Sequence, residues 1–245
     1  MKKEIWNWTA YLWDCLEIMD LLIQEWVKVD AIITDPPYWT TACKWDSVIP
    51  FDEMWERLNK LIKPNGAIVL FWSEPFSSAL RMSNIKNYKY DWVWEKNRPT
   101  WLFTAKKQPM KYHELIHIFY NNQPIYNPQM WEWKKSHKRW SEKWSSEHYN
   151  SNKFSESKDT NLKYPKSILK FNREHPPIHP TQKPVALMEY LIKTYTNEWE
   201  LVLDFTAWSF STWVACENTN RKFIMIEKDE NYFNIWCERI LNLNK

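Results

Sequence analysis

Apolar positions along the chain fall into short runs closed by turn residues, and amphipathic stretches separate them. Val29-Asp30-Ala31-Ile32-Ile33-Thr34 has the density of a buried strand and runs straight into a Pro-Pro turn. An amphipathic stretch from Phe51 to Lys63 follows, then a second apolar strand from Ala67 to Phe71. The same β-α-β rhythm returns near the C-terminus. There Glu200 to Asp204 reads as a strand, Ser211 to Asn218 as a helix, Lys222 to Ile226 as a strand and Asp229 to Leu243 as a helix. Tyr112 to Tyr120, rich in β-branched and aromatic residues, reads as a further strand. The expected fold class is α/β, with a mostly parallel central sheet, helices on both faces and no internal repeat.

Between the two halves, residues 121–170 are rich in Ser, Asn, Lys and Glu and hold no sustained apolar period. The expectation is one domain over 1–245 with 121–170 as an insertion. Charge sharpens this picture. The insertion carries ten Lys or Arg against five Asp or Glu, a balance of +5, while the rest of the chain has 23 against 25, or −2. Lys134, Lys135, Lys138, Arg139 and Lys143, interleaved with Trp, Ser and His, suit a phosphate-tracking surface and mark this segment as a candidate nucleic-acid contact. A solvated flexible loop is the plainer reading of the same composition.

With 245 residues, 44% of them apolar, the chain can bury one large core, which excludes a disordered tail or a disulfide mini-scaffold. No apolar run approaches the roughly 20 residues of a membrane helix, and Met1 to Cys15 lacks a signal-peptide core, so a cytoplasmic protein without membrane contact is expected. Cys15, Cys43, Cys216 and Cys237 are scattered, which suits reduced thiols rather than a zinc site or disulfides.

One compositional anomaly bears on everything else: the chain has a single glycine, Gly66, beside 19 tryptophans. Fourteen of the 19 stand where strands end, loops turn or small residues belong: Trp8, Trp13, Trp26, Trp39, Trp72, Trp101, Trp131, Trp133, Trp140, Trp144, Trp199, Trp208, Trp213 and Trp236. Reading those fourteen as glycine leaves five tryptophans and fifteen glycines, about 6% of the chain, close to ordinary usage. The pattern fits a gene whose UGA codons mean glycine but have been read as tryptophan. A deliberate glycine-to-tryptophan design is the alternative.

Two constellations carry chemistry. Asp35-Pro36-Pro37-Tyr38 follows a buried strand, and at the carboxyl ends of an α/β sheet such residues project into the ligand crevice. Consecutive prolines fix the backbone and remove two N–H donors, leaving outward carbonyl acceptors. A carboxylate with such carbonyls grips an exocyclic amino group, and Tyr38 offers a ring for stacking. The second constellation is the strand ending at Asp204 followed by Phe205-Thr206-Ala207-Trp208-Ser209-Phe210-Ser211-Thr212-Trp213. With glycine at 208 and 213 this becomes the small-residue turn, opening a helix, that nucleotide-type cofactors approach closely. Glu227 ends the next strand 19 positions after Trp208, near the interval of about 20 at which a carboxylate takes ribose hydroxyls. No P-loop lysine follows, which favours an adenosine without a cradled triphosphate.

A competing motif, His113-Glu114-Leu115-Ile116-His117, matches H-E-x-x-H. On the strand expected here the histidines would share one face about two pleats apart, and no third ligand follows, so no metal is expected.

These residues resemble the amino-methyltransferases of DNA, in the β-group order of catalytic motif, target-recognition segment and cofactor turn. The resemblance covers most of the chain and rests on Asp35 to Tyr38, on His179-Pro180-Thr181-Gln182-Lys183-Pro184, on Leu203-Asp204 through Glu227, and on Trp13-Asp14-Cys15-Leu16-Glu17. It implies a Rossmann-like methyltransferase fold, S-adenosylmethionine as cofactor, and methyl transfer to adenine N6 in double-stranded DNA by base flipping, with residues 121–170 as the target-recognition segment. Asp35, Pro36, Pro37 and Tyr38 would then be catalytic. Cofactor contacts would come from Asp14, Cys15, Asp35, His179, Thr181, Gln182, Lys183, Asp204, Phe205, Thr206, Trp208, Ser209, Ser211, Thr212, Glu227 and Lys228. DNA contacts would come from Lys134, Lys135, Lys138, Arg139 and Lys143. The family pattern D-P-F-x-G-S-G departs here at Phe205, Thr206 and Phe210. An acidic first residue usually accompanies adenine in this family, and N4-cytosine is the alternative target. A protein-glutamine methyltransferase usually has Asn there and the reverse motif order. If the tryptophans are genuine, a catalytically inactive DNA-binding module is the reading from a different class. The resemblance also leaves room for a cognate restriction endonuclease and a homodimer.

Overall fold

The computed structural model describes residues 1–5, 8–37, 49–100, 105–132, 161–174, 182–208 and 210–234. It divides into two compact units, one of Met1–Asn127 with Ser167–Lys245 and one of Pro128–Lys166.

In chain order the larger unit holds β1 (Lys2–Ile5), β2 (Trp8–Leu12), α1 (Cys15–Gln24), β3 (Val29–Thr34), α2 (Phe51–Leu61), β4 (Ile62–Trp72), α3 (Phe76–Ser83), β5 (Tyr88–Thr100) and β6 (Lys111–Phe119). The smaller unit contributes the short antiparallel pair β7 (Trp131–Glu132) and β8 (Leu162–Lys163). The larger unit resumes with β9 (Ile168–Lys170), α4 (Val185–Tyr195), β10 (Leu201–Asp204), α5 (Ser211–Asn218) and β11 (Lys222–Glu227). A further helical stretch starts at Glu230 and continues through Asn234, where the description ends.

Nine strands form one sheet in the order β1-β2-β11-β10-β3-β4-β6-β5-β9. The run from β2 through β4 is parallel, and β6 and β5 return antiparallel beyond it. Strand residues alternate between two cores. Ala31 and Ile33, Val69 and Phe71, and Phe223 and Met225 face α4 and α5, whereas Ile32, Ile68, Leu70 and Ile224 face α1, α2 and α3. Helices therefore cover both faces, as the buried apolar runs of the parallel strands require.

Local sequence explains most boundaries. Asp14 caps α1, its Oδ1 accepting from the Leu16 N–H at 2.9 Å. The helix expected to run to Lys63 stops at Leu61, because Pro64 pushes the residue before it out of helical space. Gly66 sits where a Cβ would lie 2.7 Å from the Asp30 carbonyl oxygen, so this one glycine is required by close strand approach.

The consequence for function lies at one edge of the sheet. Because β2, β3, β4, β10 and β11 run parallel, Leu12, Thr34, Trp72, Asp204 and Glu227 all end on the same side. Antiparallel β6 starts there, since Leu115 pairs with Trp72, and β5 ends there, since Thr100 pairs with Lys111.

Candidate active site

The turn after β10 is built around Asp204. Its Oδ1 accepts from the Thr34 hydroxyl at 2.6 Å and the Thr206 N–H at 3.2 Å, and its Oδ2 accepts from the Thr212 hydroxyl. One buried carboxylate thus ties β3, the turn and the start of α5 together. Burial pushes its pKa up, against the hydrogen bonds of Thr212 and Thr34. Glu227, at the end of β11, accepts from the Trp208 N–H at 2.9 Å and the Asp229 N–H at 2.8 Å, and burial still raises it to about 7.

Above these strand ends lies a cavity of about 300 Å³ whose walls include Asp14, Cys15, Pro37, Phe205, Thr206, Trp208, Glu227 and Lys228. A smaller cavity of about 20 Å³ is lined by Asp35, Lys183, Asp204, Thr206, Trp208, Ser211 and Thr212, among others. Trp208 lines both. Its indole N–H donates to the Asp35 backbone carbonyl at 2.8 Å, placing the ring against the start of the Pro-Pro turn. Residue 208 has a φ of 36°, a backbone conformation that favours glycine.

The two cavities gather most of the residues expected from sequence. Asp14, Cys15, Pro37, Phe205, Glu227 and Lys228 line the larger one, and Asp35, Lys183, Asp204, Ser211 and Thr212 the smaller, with Thr206 and Trp208 at both. Pro36 is buried and lines neither, and Gln182 is buried with its amide donated to Glu174. Tyr38, His179, Thr181 and Ser209 lie outside the described residues, as do Lys134, Lys135, Lys138, Arg139 and Lys143.

Asp35, just past the end of β3, lines the smaller cavity. Its Oδ2 pairs with Lys183 Nζ, while its Oδ1 is buried with no hydrogen-bond partner among the described residues. Burial raises its pKa to about 6, with Lys183 opposing and Glu114 and Asp204 adding to the rise, so it is mostly ionised at neutral pH. An ionised buried oxygen awaiting a donor is an acceptor for a ligand N–H.

Two neighbours were not identified as site residues from the sequence. Glu114 of β6 lies 3.4 Å from Lys183 Nζ through Oε2 and 3.0 Å from Lys96 Nζ through Oε1. Burial works to raise Glu114, but the Lys183 and Lys96 cations outweigh it and hold the acid near 2. The H-E-x-x-H pattern drew attention to Glu114 only as a metal-site base. On strand β6, His113 is exposed, while His117 is buried and its Nε2 lies 3.0 Å from the Ser77 hydroxyl.

Among the described cysteines, burial pushes Cys15 up to about 12 and Cys216 well above its ordinary value. Neither supplies a thiolate at neutral pH. The arrangement can bind a nucleoside-like group and grip an amine; these two thiols cannot serve as nucleophiles.

The DNA methylase family profile (N6/N4 methyltransferases) matches residues 29–238. The chain is 25% identical over 256 residues to the type II methyltransferase M2.LlaDCHI of Lactococcus lactis subsp. cremoris, covering 93% of this chain and 87% of that protein. The solved complex of M1.HpyAVI with SAM superposes with a TM-score of 0.65 at 28% identity, over 94% of this chain and 98% of that one. The cytosine-N4-specific PvuII DNA methyltransferase shares the fold, with a TM-score of 0.66 at 17% identity over 93% of this chain and 84% of that one.

Proposed function

The chain belongs to the DNA methylase family of N6-adenine and N4-cytosine amino-methyltransferases, and from that premise we propose that it methylates adenine N6 in double-stranded DNA. The observation that carries the finer reading is Asp35 at the end of β3, an ionised carboxylate with one buried oxygen unpartnered among the described residues. A planar base turned out of the duplex can present its amino hydrogen to that oxygen, and extrusion costs a few kcal/mol that stacking and phosphate contacts offset.

S-adenosylmethionine is the cofactor, and its sulfonium supplies the transferable methyl group. The donor set suits it: Glu227, Asp14 and Lys228 ring the larger cavity with carboxylates and a cation, and Phe205 and Pro37 give it apolar walls. Asp35 Oδ1 accepts one amino hydrogen and draws the nitrogen lone pair out of ring conjugation. With the methyl donor bound, the N–C bond would form as the S–CH3 bond breaks, the electron pair leaving with sulfur as a neutral thioether; the amine nitrogen would become cationic, and Asp35 would stabilise that charge and receive the proton for release to solvent. The Pro36 carbonyl is assigned as the second acceptor and Tyr38 as the stacking ring. The basic residues of 121–170 are assigned to phosphates, and a type II restriction endonuclease is the expected functional companion. No covalent enzyme intermediate is required.

N4-cytosine is the second reading, because the matching family includes N4-cytosine as well as N6-adenine methylases. Methylome sequencing of a host expressing the chain with glycine at the fourteen positions tests both. N6-methyladenine within one short motif, lost on Asp35→Ala, is expected. N4-methylcytosine would transfer the assignment to cytosine, and methylation surviving Asp35→Ala would remove Asp35 from the mechanism.

A further inference from the structure

Four charges of alternating sign run inward from the site: Asp35 after β3, Lys183 ahead of α4, Glu114 on β6 and Lys96 on β5. The two lysines are almost wholly buried, with side-chain exposures of 8% for Lys183 and 1% for Lys96. Their ammonium groups also lie over rings, Lys183 Nζ 5.3 Å from the Phe71 ring centre and Lys96 Nζ 5.9 Å from that of Trp94. A buried ionic row contributes little net stability compared with apolar packing of the same volume. Its position behind Asp35 points to chemistry instead.

A carboxylate has two oxygens and, if unrestrained, can present either to a ligand. Here Lys183 occupies Oδ2, and Oδ1, buried and without a hydrogen-bond partner among the described residues, remains as the acceptor of a residue that lines the smaller cavity. We propose that Lys183 and Glu114 are positioning residues for methyl transfer: Lys183 clamps Oδ2 so that Oδ1 alone receives the base amine, and Glu114, anchored by Lys96, holds the Lys183 ammonium in that bridge. The inference rests on the proposed function for its substrate, but its electrostatic part belongs to the ligand-free protein.

The two residues act on Asp35 with opposite sign. The Lys183 cation favours the ionised carboxylate, and the Glu114 anion opposes it. Among the described residues, the other charged groups facing this cluster are Asp204 from β10, which also opposes ionisation of Asp35, and Lys111 at the start of β6, which senses Glu114 while donating to the Ser73 hydroxyl. With Lys183 replaced by a neutral residue, a desolvated Asp35 beside two anions would hold its proton near neutral pH, and would be a weaker acceptor for the amine and unable to take up its proton.

Carboxyl ¹³C NMR titration of the ligand-free protein tests this, with the Asp35 signal identified by its loss in Asp35→Asn. The parent midpoint should lie at about 6. Lys183→Met should raise it by about one pH unit or more, Lys183→Arg should restore it, and Glu114→Gln should lower it. In the version of the chain that methylates DNA, the acid limb of the single-turnover rate should move with the midpoint in each variant. An unmoved midpoint in both Lys183→Met and Glu114→Gln overturns the proposal, as does a moved midpoint with a stationary acid limb. Should Lys183→Met not fold, Lys183→Gln takes its place: a midpoint raised by about one pH unit or more is expected, and an unmoved one overturns the proposal. Midpoints that move as expected in a protein that methylates no DNA would instead sink the functional reading and leave the coupling among these groups standing.

Discussion

At the scale of single residues, three of the described tryptophans, Trp26, Trp199 and Trp208, occupy backbone conformations that belong to glycine. Trp26 has a φ of 59° and sits just past α1, where its N–H donates to the Ile23 carbonyl at 3.1 Å and the Val27 N–H to the Leu22 carbonyl at 3.0 Å. That is the Schellman pattern, whose left-handed residue is usually glycine. Trp199, with a φ of 68°, is the third residue of the turn from Asn197 to Glu200, a place where glycine relieves the same strain. Trp26 is 87% exposed and Trp199 57%, so neither indole recovers much by packing. Trp26→Gly and Trp199→Gly should therefore each stabilise the protein by about 1 kcal/mol, seen as a rise of roughly 2–4 °C in thermal midpoint; a loss in both would contradict glycine at these sites. Trp208 is a different case because its ring lines both cavities. Trp208→Gly should join them and tighten S-adenosylmethionine binding at least about tenfold by calorimetry, and equal affinity with either residue would show that the indole does not obstruct the cofactor. Trp8 and Trp213 are buried, each ring lying against Phe223 at 6.0 and 6.4 Å between ring centres, so they carry no such backbone signature. The intact mass of the natively expressed protein decides all fourteen positions at once.

At the scale of elements, the buried strands were legible because each apolar run ends at a charged or hydroxyl residue: β3 at Thr34 before Asp35, β10 at Asp204, β11 at Glu227. That rule also located several of the residues that line the two cavities. The edge strand β1, its neighbour β2, the helix α3 and the long β5 were not read, since short pairs and a strand carrying Lys89, Asp91 and Glu95 between aromatics lack a continuous apolar signal. The contact of Glu114 with Lys183 was illegible for another reason: it depends on β6 lying antiparallel beside β4, which no local pattern encodes. The β6–α3 contact yields its own prediction. Burial first, and the Arg81 cation second, lower His117 to about 4 from an ordinary 6.5. A depressed value means that its contribution to stability is present above pH 6.5 and is lost as pH falls toward 4. The raised carboxylates Asp35, Asp204 and Glu227 work the other way, so the difference between parent and variant is the quantity to follow. His117→Gln, which keeps a partner for Ser77 but does not titrate, should remove roughly 3 kcal/mol of that acid-side loss in denaturant unfolding. Identical pH dependence in the two proteins would mean that His117 is accommodated as a cation.

At the scale of the whole molecule, the net charge of +3 conceals an uneven distribution, +5 within residues 121–170 and −2 elsewhere. A uniformly weakly basic surface would hold DNA poorly and without direction, whereas a concentrated segment can neutralise several adjacent phosphates and release their counterions. Salt dependence separates these cases better than affinity alone. If Lys134, Lys135, Lys138, Arg139 and Lys143 each meet a phosphate, replacing all five with Ser should reduce the magnitude of the slope of log K against log salt by about 4 to 5. Cofactor binding should be untouched, because Asp14, Thr206 and Glu227 belong to the larger unit and its own cavity. Fluorescence anisotropy with a labelled duplex over a salt series measures the slope, and calorimetry of the same variant measures the cofactor. An unchanged slope would move the phosphate contacts to other cations, of which Arg98, Lys106 and Lys107, exposed around the β5–β6 connection, are the first to replace, because that hairpin ends at the same sheet edge as Asp35.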